Sequence, residues 1–319
     1  MSPSSTGTAA HAIQEGALAE RPLLAPWLRR AEVAGRIVLE YGDEIVVLGG
    51  ARARAVLDGL LPLLDGSRTA AEIAAELGST VAVVDGVLGE LRAHGLVVAG
   101  PPAGGAATLC AALAPGTSPA EAEERLSEAA VAVVGASHCA DELVRVLEPV
   151  VGTAGRAAWG DCANADVSVA APSPAELPRL EGWNAQMLSR DAEWLQVLPF
   201  NGRFAALGPL FVPGETCCHT CFRHRRGASL GEPELAAALD AAPAPYPQPD
   251  LLSTALAGLA AGLLVRWLAT RDPTLPGTLF ALELDRGIRV DAHRVLRVPR
   301  CSACSPAYGL ADPLPWATA

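Results

Sequence analysis

The sequence predicts an α/β protein in two parts: a small strand-and-helix domain, then a larger domain built on a sheet of parallel type. Three observations carry this. Ala130 to Val134, Val167 to Ala171 and Trp194 to Leu198 are short, mainly apolar runs, as expected of strands covered on both faces. Between Arg21 and Gly100 a hairpin pattern precedes three stretches with helical spacing and a last short strand. Two C-x-x-C pairs, Cys218–Cys221 and Cys301–Cys304, stand about eighty residues apart in the larger part.

Residues Met1 to Glu20 are rich in Ser, Thr, Ala and Gly without pattern, and read as a disordered tail. Leu23 to Trp27 reads as a short strand. Arg36 to Tyr41 and Glu44 to Leu48, joined by Gly42-Asp43, read as a β-hairpin with a tight turn. Leu57, Leu60, Leu61 and Leu64 follow at helical spacing, with Pro62 bending or ending that helix. Thr69 and Glu72 form a capping box for a second helix that stops at Gly78. Val81, Val84, Leu88 and Leu91 mark a third, closed by His94-Gly95, and Leu96 to Val98 is a last strand. This order describes a winged helix-turn-helix over residues 21–100. Residues 101–117, rich in Pro, Gly and Ala, read as a linker to a domain spanning 118–319.

That larger part opens on Ser118-Pro119-Ala120-Glu121, a capped helix start. The strand ending at Val134 leads into Gly135-Ala136-Ser137-His138 and a helix from about Cys139 to Leu147. A dinucleotide fold would place G-x-G-x-x-G here, but only Gly135 is present. Ala241 to Pro249 is a Pro-rich loop, and Leu251 to Thr270 a long helix with small residues on one face. Leu279 to Leu284 and Ile288 to Asp291 form a hairpin around Arg286-Gly287.

Two C-x-x-C knuckles supply four thiolates to one tetrahedral zinc, and a closed set of four leaves no position for substrate. Cys218, Cys221, Cys301 and Cys304 are therefore expected to hold one structural zinc. A redox pair and separate buried cysteines are the competing readings. Cys217-x3-Cys221 is the alternative register, and His219 and His224 are nearby substitute ligands. Cys110, Cys139 and Cys162 read as small buried apolar residues, and no catalytic nucleophile stands out.

Charge and composition narrow the function. The net charge of -11 argues against nucleic acid, and residues 21–100 carry 8 Arg against 10 acidic residues, with no basic stripe on the third helix. The 319 residues include no lysine, which removes a phosphate-loop lysine and a Schiff base. The most apolar stretch, Leu251 to Val265, is short and interrupted by Ser253, Thr254, Gly258 and Gly262, so no membrane span is expected. No signal peptide is visible, and the cysteine usage suits a reducing cytoplasm.

Without a basic stripe, the winged helix is better suited to adding a peptide as an extra strand. The expected groove uses Ile45, Val46, Val47 and Leu48 on the edge strand, with Val84, Leu88 and Arg92 on the third helix. For the apolar members, core packing is the competing reading.

The order of these features resembles the ThiF/MoeB-like superfamily, related to ubiquitin-activating enzymes. The residues that carry the resemblance are the Val-Val-Gly strand, the C-x-x-C after Gly208-Pro209-Leu210-Phe211-Val212-Pro213-Gly214, the long Ala/Gly helix, the hairpin and Pro299-Arg300-Cys301-x-x-Cys304. The hairpin followed by Leu63-Leu64-Asp65-Gly66-Ser67-Arg68-Thr69 resembles the RiPP precursor recognition element. Together they are similar to the ocin-ThiF-like proteins of azole-modified microcin and thiopeptide (TOMM) pathways, over about Arg21 to Pro306. The resemblance implies a Rossmann-like sheet domain and a subunit that binds a leader peptide. Such a subunit presents the core to a separate YcaO-type cyclodehydratase, which uses ATP to form azolines. Homodimers are implied as well. Active superfamily members adenylate a carboxylate with a glycine loop, an acidic magnesium ligand, Arg and Lys. This chain departs at the glycine loop and has no Lys; Asp161 or Asp166 would have to serve as the acid. The resemblance thus implies a non-catalytic scaffold with no ATP bound, an ATP-dependent adenylating enzyme being the alternative. A metal-sensing DNA-binding regulator is a third reading, opposed by the acidic charge.

Overall fold

The computed structural model describes residues 21–49, 51–114, 116–161, 164–242, 248–285 and 287–305. The expected tail, Cys162 and part of the Pro-rich loop lie outside the described residues. The chain divides into two compact units, residues 1–124 and 125–319.

The first unit opens with β1 (Pro22–Leu24) and β2 (Arg29–Val33), followed by the hairpin β3 (Arg36–Tyr41) and β4 (Glu44–Leu48). Tyr41 pairs with Glu44, so Gly42-Asp43 is a two-residue turn, and Gly42 takes the positive φ of +61° that such turns require. The sheet order is β2-β3-β4, all antiparallel, which leaves β4 at an edge. Helix α1 (Ala51–Leu60) gives way to a 3₁₀ turn, Leu61–Leu63, where Pro62 cannot donate to the α ladder. Helix α2 (Ala70–Glu76) starts on the expected box. Glu72 N–H donates to Thr69 Oγ1 at 3.3 Å, and Thr69 N–H donates to Glu72 Oε2 at 2.7 Å. Helix α3 (Val81–Ala93) follows, and β5 (Val97–Ala99) pairs antiparallel with β1. Ile37, Leu39, Leu57, Leu60, Ile73 and Leu88 close the core. Burying each of these stabilises the unit by about 1.5–3 kcal/mol. Within the Pro/Gly/Ala-rich stretch, residues Gly105–Leu113 form a helix, α4. Helix α5 (Pro119–Glu128) contains the division between the units.

The second unit is built on a seven-stranded mixed sheet. Its members are β6 (Ala130–Val134), β7 (Thr153–Arg156), β8 (Val167–Ala170), β9 (Trp194–Leu198), β10 (Phe204–Phe211), β11 (Thr278–Glu283) and β12 (Arg289–Arg294). The order is β12-β11-β10-β9-β8-β6-β7. Strands β6 to β9 run parallel and the last three antiparallel. All four residues of β8 are buried, Ser168 among them, as expected of a mainly apolar run covered on both faces. Helix α6 (His138–Leu147) follows β6, α7 (Arg179–Ser189) precedes β9, and α8 (His219–Leu230) and α9 (Pro233–Ala241) follow β10. Helix α10 (Asp250–Thr270) packs along α6. It is 21 residues long, longer than the 251–265 run, and by length and composition alone it could cross a membrane; half of its most apolar window is buried within the protein.

Candidate functional site

The four expected cysteines come together. Cys218 is the N-cap of α8 and Cys221 lies in its first turn, so the helix sets their spacing. Cys301 and Cys304 sit on a turn beyond β12, in which Cys301 N–H donates to Val298 O. Arg297 joins the two segments, donating to Gly214 O at 2.8 Å and Cys304 O at 3.1 Å. The four Sγ atoms lie within 4.8 Å of one another. Cys218 to Cys221 is 3.8 Å, Cys218 to Cys301 is 3.7 Å and Cys221 to Cys304 is 3.5 Å. Zinc–sulfur bonds of about 2.3 Å in a tetrahedron place sulfurs about 3.8 Å apart, so the donor set fits such an ion.

The surroundings favour thiolate. Cys221 is drawn down to about 4, chiefly because Cys218 Sγ donates to it; burial opposes this, and Val298 N–H at 3.3 Å adds to it. Three of the four cysteines are buried and Cys304 is half-buried. The cluster could hold a metal ion, and a four-thiolate set leaves no open position for a reacting group.

The structure decides the register. Cys217 is buried outside the cluster, and burial pushes its thiol up to about 12. His224 is exposed and not a ligand. His219 is held elsewhere: its N–H donates to Asn184 Oδ1 at 2.9 Å, and Nδ1 meets Gln196 Oε1 at 2.7 Å. Burial lowers the His219 pKa to about 4, which keeps the imidazole neutral. Behind the knuckle the rings of Trp159, Trp183, Trp194 and Phe211 form a ladder, with successive centroids 5.5, 6.4 and 4.5 Å apart. Cys110 and Cys139 are buried as expected, and burial raises the Cys139 thiol to about 12.

The turn after β6 is filled from within the protein. Gly135 has φ +114°, and a Cβ there would lie 2.2 Å from Ala171 O. Ser137 caps α6 by accepting from Ala140 N–H at 3.1 Å, and its hydroxyl donates to Ala171 O at 2.7 Å. The carboxylate of Glu176, forty residues on, accepts from Ala136 N–H at 2.6 Å and Trp159 Nε1–H at 2.9 Å. It also accepts from Ser173 N–H and Oγ at 3.1 and 3.0 Å. Burial raises this carboxyl, but the bonds from Ala136, Trp159 and Ser173 outweigh that and hold it below its ordinary value. The main-chain N–H of Ala136, in the turn that leads into α6, is thus taken by an internal carboxylate. Residues 173–176, Ser-Pro-Ala-Glu, repeat 118–121, so the sequence carries a capping signal here; it does not show that the Glu also reaches Ala136.

Asp166 is no candidate for the acidic ligand. It precedes β8 and accepts from Ala130 N–H at 2.8 Å, which puts it at the N-terminal ends of the parallel strands, opposite the turn. Asp161 is an exposed turn residue.

In the first unit, Ile45 and Val47 project from β4 with 68% and 50% of their surface exposed. Val46 and Leu48 point the other way and pack on the core. Val84 and Leu88, expected on a groove wall, are core residues at 3% and 0% exposure. With Leu91 they form the inward stripe of α3, and Arg92 is half-buried beside it.

No family model and no curated protein matches the chain. Solved structures do. The heterocyclase TruD superposes with a TM-score of 0.69 at 24% identity, over 90% of this chain and 43% of that one. A heterocyclase in complex with substrate and cofactor gives 0.67 at 21%, over 90% and 40%. E. coli MccB, solved with ATP, gives 0.60 at 14%, over 89% and 99%. The chain spans less than half the length of these heterocyclases. At such identities the likeness establishes the fold: this chain is folded like TruD and MccB.

Proposed function

We propose that this protein binds the leader of a ribosomally made precursor peptide through its first unit. It presents the core to a separate YcaO-type cyclodehydratase for azoline formation, acting itself as a non-catalytic scaffold. Residues 21–100 are the winged-helix recognition element, residues 101–117 the linker, and 118–319 a ThiF-like domain stapled by zinc on Cys218, Cys221, Cys301 and Cys304. The observation that carries the reading is the exposed apolar edge of β4. An edge strand pairs an extended peptide through its main chain, and alternate pockets read side chains. Ile45 and Val47 would meet the peptide, while Val46, Leu48, Val84 and Leu88 hold the groove from inside; Arg92 supplies a polar contact on α3. Holding the leader keeps the core at about millimolar local concentration near a bound partner. The fold likeness to two heterocyclases supports the pathway, and Glu176 in the turn after β6 supports a domain without nucleotide chemistry.

The test is anisotropy of a fluorescent leader, encoded by a short Cys/Ser/Thr-rich gene beside this one. Binding at micromolar or tighter is expected; no detectable binding removes the reading. The second reading, an ATP-dependent adenylating enzyme, is favoured by the fold shared with nearly the whole of MccB solved with ATP. Leader-dependent pyrophosphate exchange by this chain alone would establish it in place of the scaffold.

A further inference from the structure

The second unit contains a cleft of about 770 Å³ between α7, α8, α9 and the antiparallel end of the sheet. Leu180, Leu198, Phe204, Phe222 and Leu279 give it apolar walls. Two features make it a built site. The first is His219, 5% exposed, which lines the cleft. Gln196 Nε2–H donates to Gly208 O at 3.0 Å, which turns Gln196 Oε1 toward His219 Nδ1 and fixes the proton there. Among the described residues Nε2 is left as an acceptor without a partner, and the ring can offer the cleft only this nitrogen and its carbon edge. The second feature is charge. Arg223, Arg225, Arg226 and Arg294 line the cleft against two carboxylates, Glu181 and Asp240. Arg223 bridges both acids and Arg226 pairs with Asp240. Arg225 donates to the main-chain carbonyls of Leu296 and Arg297, and Arg294 to that of Pro276. Each keeps a charge that no described carboxylate pairs. A chain of net charge -11 thus carries a local excess of cations around an apolar cleft.

We infer that this cleft binds an apolar peptide segment bearing a carboxylate. Its main-chain N–H would donate to His219 Nε2, its side chains would cover the apolar walls, and its acid would face Arg225 and Arg294. The inference rests on the peptide-binding reading above and adds a second contact, for a part of the peptide outside the leader.

The experiment is fluorescence anisotropy on the full chain with two rhodamine-labelled hexapeptide pools. Both carry Ala, Leu or Phe at five positions; the sixth is Glu in one pool and Lys in the other. The Glu pool should bind, and the Lys pool about tenfold more weakly or less. His219→Phe keeps a ring without the acceptor and should weaken the Glu pool about tenfold. Because that change also frees Gln196, Leu239→Glu is the second variant. Leu239 lines the cleft yet is 70% exposed, so the fold tolerates a charge there. It should weaken the Glu pool to a similar extent and leave leader binding at β4 unchanged. Equal binding of both pools, no binding of either, or Glu-pool binding indifferent to both variants overturns the inference. A leader that binds while the Glu pool does not overturns the cleft alone. A cleft that binds the pool in a protein that ignores the leader overturns the leader reading alone.

Discussion

Removing the zinc proposed for the four-cysteine cluster should loosen the whole second unit. Treated as a cross-link, the ion joins positions 83 residues apart. The chain-entropy cost of leaving such a loop open is about 4.5 kcal/mol. Domains of this size lose about 2–4 °C of Tm per kcal/mol, so the transition of the second unit should fall by about 9–18 °C. That is a large part of a total stability of about 5–15 kcal/mol. Cys301→Ser and exhaustive chelation should give the same shift in calorimetry. Metal analysis should find one zinc per chain in the parent and in Cys217→Ala, and little in Cys301→Ser. A chain that yields no metal when purified from zinc-replete cells, or whose transition moves by less than about 2 °C on complete removal, would refute the staple.

Ile45→Asp places a charge on the exposed face of β4; leader affinity should fall about tenfold or more while the melting curve stays put. Leu88→Ala, in the core, should cost the first unit about 2–5 kcal/mol in denaturant unfolding and alter leader binding only through the folded fraction. Gly135→Ala combines a disfavoured φ with a contact on Ala171 O, and should destabilise the second unit by about 3 kcal/mol in the same assay. Glu176 has a carboxyl below its ordinary value of 4.5, so its stabilisation is complete above that pH and is lost as pH falls through the lowered value. Glu176→Gln should therefore cost about 1–2 kcal/mol at neutral pH and flatten the decline in stability below pH 4.5.

Much of the second unit was legible because burial on both faces leaves mainly apolar runs, as in β8. The four-cysteine cluster was legible because a single spacing encodes it, and the cap of α2 because Thr69 and Glu72 interact locally. Strand β2 was not, since Arg29–Val33 is exposed at all five positions and shows no alternation. Strand β7 is only four residues, Thr153–Arg156, and none is fully buried. Strand β10 was hidden by Gly208-Pro209 in its middle, where the register with β9 shifts. Helices α7 to α9 were not recognised as helices; in α8 the C-x-x-C spacing carries a metal-ligand signal that masks the helix start at Cys218. Burial on α3 followed the helical period, and that same period moved Val84 and Leu88 from a presumed groove into the core. Glu176 and the cleft at His219 depend on contacts across long stretches of chain, which one-dimensional spacing does not encode.

The antiparallel pairing of β1 with β5 sets Pro22 opposite Ala99. The segment from Pro22 to Ala99 therefore begins and ends about 5 Å apart, one strand spacing. A segment with adjoining ends can be spliced into a surface loop of another protein without rerouting its host. Transplanting residues 21–100 into an unrelated carrier would thus show whether the proposed leader binding travels with this segment alone.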